Sequence, residues 1–141
     1  MQNKMYLVCN LKANKTKEEL MDYERDLLQI PLKSNIELII CPSTPFLYIF
    51  QNDSYKLGSQ DISRYENGPH TGENTGEQLA SLNVEYALVG HSERRQEQNE
   101  SNKDTNEKIK MLLNEGITPV LCVGETKEER EEKESRNKIL S

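Results

Sequence analysis

Several residue types are scarce or missing in this 141-residue chain, and each scarcity excludes a class of protein. The chain has no Trp, only two His and three Cys. An odd number of cysteines without a C-x-x-C pair argues against a disulfide framework and against a zinc site, so reduced thiols in a cytoplasmic protein are the simplest interpretation. No apolar run approaches the roughly 18 residues of a membrane span, and the N-terminal segment has no cleavage-site pattern.

Positive charge is also in deficit. Lys and Arg together number 18 against 24 Asp and Glu, which gives a formal net charge of −6. This balance argues against nucleic acid and anionic membranes as the main partners, although it leaves room for a local cationic pocket. The length is sufficient for one domain with a sizeable core.

Short β-rich runs alternate along the chain with segments of helical periodicity. The predicted strands cover 5–10, 36–41, 56–60, 85–89 and 118–123. The predicted helices cover 16–29, a short segment at 44–51, 77–82, 102–114 and 127–140. Capping boxes that begin at Thr16, Ser101 and Thr126 support three of the helix starts, and Gly116 is a suitable residue just after a helix end.

Alternating strands and helices predict an α/β fold with a parallel sheet. Five such units suit a complete flavodoxin-like domain, and they suit equally the first five-eighths of a (β/α)8 barrel. In both architectures the chemistry collects at the carboxyl ends of the strands, so the residues found there should decide between them.

The first predicted strand ends in Asn10-Leu11-Lys12. Strand alternation places Asn10 and Lys12 on one side and Leu11 on the other. An amide and an ammonium group would then project together from the strand end, where Lys12 could neutralise an anionic substrate. A solvated loop lysine is the plainer interpretation of Lys12 taken alone.

The fourth predicted strand ends in VGHSERR at 89–95. Gly90 permits a tight exit, and His91 would then lie at the start of a short helical turn. Free backbone N–H groups at a helix start disfavour a protonated imidazole, and a neutral one can donate a hydrogen bond to a carbonyl oxygen. A purely structural, capping histidine is the alternative. For Glu93, Arg94 and Arg95 the simplest expectation is an ion-paired loop.

Taken together, these strand ends resemble the triosephosphate isomerase family. The matching segments run in the family's order along essentially the whole chain: NLK at 10–12, CPSTPFL at 41–47, LGSQDIS at 57–63, GPHTGE at 68–73, VGHSERR at 89–95 and GITPVLCVGET at 116–126. The resemblance implies a truncated (β/α)8 TIM barrel, with residues 1–141 forming a single incomplete domain.

The resemblance also implies a role for each matching residue. Lys12 matches the lysine that binds the substrate phosphate and offsets the developing negative charge, and Asn10 matches the asparagine that lines the same pocket. His91 matches the neutral electrophilic histidine, and Ser92 and Glu93 match the residues that support it.

The implied reaction is the interconversion of glyceraldehyde 3-phosphate and dihydroxyacetone phosphate, a step of glycolysis and gluconeogenesis in the cytoplasm. The family needs no metal and no cofactor. Its members are homodimers, and Thr71 matches the residue that reaches across the dimer interface.

Three departures from the family pattern matter. Thr75 and Gly76 stand where the family usually has Ser and often Pro, so the helix start there is expected to differ slightly. Leu11 replaces the usual Trp, but its side chain should point away from the pocket.

More seriously, the family's catalytic glutamate is absent from residues 1–141, together with the lid loop and the late phosphate-binding loops. Glu93 and Glu125 do not lie where that base would sit. We therefore expect these 141 residues alone to be inactive, and the open edges of an incomplete barrel to favour aggregation or a complementary chain.

Two other interpretations remain open at this point. A non-catalytic barrel remnant, or a split half, would bind phosphate or a complementary chain. A complete flavodoxin-like or receiver domain would want acidic residues after the first strand, where this chain has Asn10 and Lys12 instead.

Overall fold

The computed structural model describes residues 3–131, and these residues form parallel strands that alternate with helices. The strands are β1 Met5–Asn10, β2 Ile36–Cys41, β3 Lys56–Ser59, β4 Val84–Val89 and β5 Thr118–Leu121. The α-helices are α1 Lys17–Leu27, α2 Gly76–Ser81, α3 Ser92–Glu97, α4 Asn102–Asn114 and α5 Lys127–Glu131, and a 3₁₀ helix spans Thr44–Ile49. The later part of the predicted fifth helix lies outside the described residues.

The sheet has the sequential order β1-β2-β3-β4-β5, and every pairing is parallel. A flavodoxin-like sheet has the order 2-1-3-4-5 instead. The curled sheet with this sequential order confirms the prediction of a truncated TIM barrel. Within residues 3–131, β1 pairs only with β2 and β5 only with β4, so each has one open edge.

The two faces of the sheet carry separate apolar clusters, as strand alternation requires. The larger cluster joins the helices to the outer face and includes Leu20 of α1, Ile40 of β2 and Leu112 of α4, all fully buried. The smaller cluster, built on Ile39, Cys41 and Leu88, lies on the inner face. Outer-face packing therefore attaches α1 and α4 to the sheet.

The alternation predicted for β1 is also confirmed. Val8 packs on the inner cluster, whereas Cys9 and Leu11 pack on the outer one. The Leu11 side chain therefore points away from the inner face, as predicted for this departure from the family pattern.

Local hydrogen bonds account for the helix boundaries. The capping boxes at Thr16 and Ser101 are complete, and the Thr126 hydroxyl accepts from the amide of Glu129 at 3.1 Å. A further box at Thr75, which the sequence did not predict, begins α2. At the end of α4, Gly116 has φ +71° and its N–H donates to the Leu113 carbonyl, while the next N–H reaches back to Leu112. This is a Schellman ending, as the glycine predicts.

Several predicted boundaries differ by one or two residues. The strands β3 and β5 end earlier than predicted, and at the end of β3 the side chain of Gln60 bonds neighbouring loop and strand carbonyls. The predicted short turn after β4 is a helix of six residues, α3. Among residues 3–131, no helix has the length and apolar character needed to cross a lipid bilayer.

Candidate active site

Lys12 lies just beyond β1 in a left-handed backbone conformation, with φ +55°. For a residue with a Cβ this conformation costs roughly 1–2 kcal/mol, so neighbouring groups must hold it. The Lys12 N–H donates to the Asn10 side-chain oxygen at 3.0 Å, and the Lys12 carbonyl accepts from the Ser43 hydroxyl at 2.9 Å and from Gln60 Nε2 at 2.7 Å. β1 ends at Asn10, so strand alternation does not set the conformation of Lys12. Hydrogen bonds fix it instead, and two of them come from distant segments of the chain.

Gln60 and Ser43 are site residues that the sequence reasoning missed. The Gln60 amide donates both to the Lys12 carbonyl and to the Cys41 carbonyl, the second at 3.0 Å, and so ties the ends of β1, β2 and β3 together. Their positions in the sequence could have identified them, because both come just after a strand. Gln60 follows β3 directly, and Ser43 follows β2 after one proline.

His91 is the N-cap residue of α3 and its side chain is 23% exposed. Its Nδ1 accepts a hydrogen bond from the backbone N–H of Glu93 at 3.1 Å. A nitrogen that accepts in this way carries no proton, so the ring is the neutral tautomer with its proton on Nε2. His91 is thus the capping residue of one interpretation of the sequence, and its tautomer is the one that the electrophile of the other interpretation requires. The catalytic role itself stays a prediction.

The carboxylate of Glu93 connects the two strand ends. Its Oε1 lies 3.4 Å from Lys12 Nζ and 3.4 Å from His91 Nδ1. Only the contact with Lys12 is an ion pair, because His91 Nδ1 is already an acceptor. About half of each side chain is exposed, so the pair contributes at most about 1 kcal/mol to stability. Its effect is to bring Lys12 and His91 together.

The remaining predicted residues are less closely joined to this centre. Asn10 uses its side-chain oxygen on the Lys12 amide. Ser92 is the exposed first residue of α3. Thr71 is exposed in the loop between β3 and α2.

The sequence predicted an ion-paired loop for Glu93, Arg94 and Arg95, but Glu93 pairs with Lys12 outside the loop and Arg95 donates to neutral oxygens instead. Arg94 also finds its partner outside the loop, in a charged network that extends to α4.

Arg94 Nε lies 3.2 Å from Asp61 Oδ2, just after β3. Lys108 is a buried residue of α4. Its Nζ lies 2.9 Å from Asp61 Oδ1 and also contacts Glu100. A buried lysine is tolerated here because two carboxylates face it.

Two cysteines near the site are packing residues. Burial raises the pKa of the Cys41 thiol to about 12. Burial also raises the pKa of the Cys122 thiol, although the charge of Arg95 acts in the opposite direction. Neither thiol has the lowered pKa of an activated nucleophile.

Glu125 follows β5, and its carboxylate contacts the guanidinium of Arg130. Glu93 is likewise engaged, with Lys12. Both glutamates, neither of which lies where the family's base would sit, are therefore paired with cations.

Known proteins resemble this chain over most of its length. A protein-family model described as triosephosphate isomerase matches residues 5–141. The chain is 35% identical to the triosephosphate isomerase of Alkaliphilus oremlandii and 37% identical to that of Alkaliphilus metalliredigens, in each case over 91% of this chain and 53% of the relative. The protein of the same name from Mycoplasmopsis pulmonis is 36% identical, over 91% of this chain and 56% of the relative.

The chain thus spans about half the length of the curated relatives it matches. The family model nevertheless covers nearly all of it, including both strand ends that form the site. On these matches, together with the sequential half-barrel, the chain belongs to the triosephosphate isomerase family.

Proposed function

We propose that this chain provides the lysine and histidine of an active site that interconverts glyceraldehyde 3-phosphate and dihydroxyacetone phosphate. The observation that carries the proposal is the convergence of Lys12 and His91 on the Glu93 carboxylate. An ammonium group and a neutral N–H donor side by side suit a substrate that bears a phosphate and a carbonyl group.

The geometry supports a division of labour in this reaction. His91 Nε2–H donates to the substrate carbonyl oxygen and stabilises the negative charge that forms there when a base removes the neighbouring carbon-bound proton. Lys12 binds the phosphate and offsets the charge of the enediolate. Asn10 lines the pocket and holds the Lys12 turn, and Glu93 and Ser92 support the site.

The proton transfer itself needs a base that residues 1–141 do not supply in this proposal. Loss of a positioned base removes a contribution of roughly 10²–10⁴-fold. We therefore expect a polypeptide of these 141 residues to bind phosphate compounds weakly and to show little or no isomerisation.

The test is isothermal titration calorimetry, in which the chain is titrated with inorganic phosphate and, separately, with dihydroxyacetone phosphate. Lys12→Ala should weaken binding of both by at least about tenfold, which is the loss of one charge-assisted contact of about 1.4 kcal/mol or more. Lys33→Ala, at an exposed lysine in the loop before β2, is the matched control and should leave binding unchanged.

Equal binding by the Lys12→Ala variant would overturn the proposed site. Near-normal turnover by the 141-residue polypeptide in an isomerase assay would overturn its expected inactivity.

A second candidate is a split half that binds a complementary chain without catalysing a reaction. The exposed apolar side chains along the open edges favour it, with Leu7 of β1 50% exposed and Leu121 of β5 also 50% exposed. This candidate predicts association with a polypeptide that carries further strands even when Lys12 is replaced by Ala. The isomerase site predicts in addition that Lys12→Ala weakens phosphate binding by at least about tenfold, whereas a half that only associates with another chain predicts no such loss.

Three further assignments belong to the same proposal. We place residues 1–141 in a single incomplete barrel domain and expect the full-length family member to be a homodimer, with Thr71 at the interface. We place the reaction in glycolysis and gluconeogenesis, and the protein in the cytoplasm.

A further inference from the structure

The two peptide groups that flank His91 are both hydrogen-bonded to one residue, Arg95. On one side, Arg95 Nε donates to the Gly90 carbonyl at 2.8 Å. On the other side, the backbone N–H of Arg95 donates to the His91 carbonyl at 3.1 Å. The second bond belongs to any helical turn, but the first depends on the arginine side chain.

The Arg95 side chain is itself held on both sides. Its Nη1 donates to the Asn102 side-chain oxygen at the start of α4, at 2.7 Å. Its Nη2 lies against Gly90, where a Cβ would approach it to 2.7 Å and would approach Thr105 of α4 to 3.2 Å. The guanidinium therefore fills the space that the missing side chain of Gly90 leaves.

We propose that Arg95 is a positioning residue for His91, an inference that rests on the proposed isomerase function for its purpose but not for its geometry. The Gly90 carbonyl belongs to the same planar peptide group as the His91 N–H, so a bond to that oxygen fixes the backbone on which the imidazole stands. The fixed backbone keeps His91 Nδ1 on the amide of Glu93 and leaves the proton on Nε2.

Lysine cannot replace Arg95 in this arrangement. The guanidinium donates from Nε to Gly90 and from Nη1 to Asn102 at the same time, through a rigid planar fork. A lysine ammonium is a single compact donor group on a flexible stem and would not hold both oxygens in one geometry. Charge alone therefore does not account for the arginine.

The neighbouring residue provides a matched control. Arg94 lies in the same helical turn and directs its guanidinium to Asp61 instead of the Gly90 carbonyl. Arg94→Lys and Arg95→Lys both keep the net charge, so a difference between them reports the contact with Gly90.

The experiment is long-range nitrogen–proton NMR of the two histidines in the 141-residue chain at neutral pH. His91 should show one unprotonated Nδ1 and one protonated Nε2, and His70, stacked on Tyr65 in the loop before α2, is the internal reference. Arg95→Lys should move the His91 Nδ1 resonance from the unprotonated position toward the average of the two tautomers. Arg94→Lys should leave it in place, and neither should move His70.

Unchanged His91 resonances in folded Arg95→Lys would overturn the proposal, as would equal shifts in both variants. If Arg95→Lys does not fold, Asn102→Ala decides. It keeps the arginine and removes only the side-chain oxygen that holds Nη1, at the first position of α4. A smaller shift of His91 in the same direction supports the proposal, and no shift overturns it.

This readout uses no substrate. A chain that shows the predicted histidine response but binds no phosphate contradicts the proposed function and leaves the role of Arg95 intact. A chain that binds phosphate through Lys12 but shows no histidine response contradicts the role of Arg95 alone.

Discussion

Lys12 and Gly90 leave their strands through left-handed backbone, with φ +55° and +69°. At Gly90 the absence of a side chain makes this conformation inexpensive and leaves room for Arg95. At Lys12 the conformation is strained and three hydrogen bonds hold it. The strain lies at the proposed site, and strained residues often cluster at the active sites of enzymes.

Gly90 gives a test of how tightly the turn before His91 is packed. Gly90→Ala should destabilise the chain by about 2–4 kcal/mol, because left-handed strain of roughly 1–2 kcal/mol adds to an overpacking term of similar size. Gly116→Ala is the matched control, since its φ is +71° but no atom lies within 4 Å of the added Cβ. Gly116→Ala should therefore be destabilised by the left-handed strain alone, roughly 1–2 kcal/mol.

Chemical denaturation of both variants measures the difference. Equal destabilisation would show that Arg95 and Thr105 move aside without cost, and would contradict the close packing at Gly90.

The helix α4 packs beside the site and contacts the residues that follow β3 and β4. It carries Lys108, which pairs with Asp61 after β3, Thr105, which packs near Gly90, and Asn102, which holds Arg95. Leu112 on the same helix is fully buried in the outer cluster. The helix thus connects the loop that holds His91 to the buried core.

The start of α4 should therefore matter more than its exposed position suggests. Ser101 accepts from the Asp104 amide at 3.1 Å and its own N–H donates to the Asp104 carboxylate at 2.9 Å. Ser101→Ala removes the cap and should lower the free energy of unfolding by about 1 kcal/mol.

Ser101→Thr keeps the hydroxyl and should retain most of that stability in the same urea titration. A loss as large as that of the alanine variant would show that the cap hydroxyl is not the source of the effect.

The sheet as a whole presents two open edges, at β1 and β5, within the described residues. Neither edge has a further strand paired to it among the described residues, and apolar side chains are exposed along both. Such edges pair readily with strands of other molecules.

Charged substitutions at the edges should reduce association of the 141-residue polypeptide. Leu7→Lys combined with Leu121→Lys should lower the sedimentation-average mass at a fixed concentration, because an edge lysine opposes strand pairing. Leu113→Lys, at a leucine of α4 that is 62% exposed, is the control and should change the mass little.

An unchanged mass in the double variant would place self-association elsewhere on the molecule. If the unsubstituted chain is monomeric and unfolds cooperatively, the expectation of association is wrong altogether.

Much of the fold followed from local patterns in the sequence. Alternation placed Val8 and Cys9 on opposite faces, and the residues Thr16, Ser101 and Gly116 marked helix ends correctly. These features depend on neighbours within a few residues, so the sequence carries them directly. The resemblance then placed Lys12 and His91 in one site.

Tertiary contacts decided the rest. The left-handed turn of Lys12 depends on Ser43 and Gln60, 31 and 48 residues away along the chain. The capping role of His91 could be read locally, but its anchoring through Arg95 and Asn102 required α4 to pack beside the strand end. The sequence by itself determined the order of strands and helices and the identity of the polar strand ends. Only the tertiary structure decided how these ends are held, because hydrogen bonds between distant segments have no local pattern.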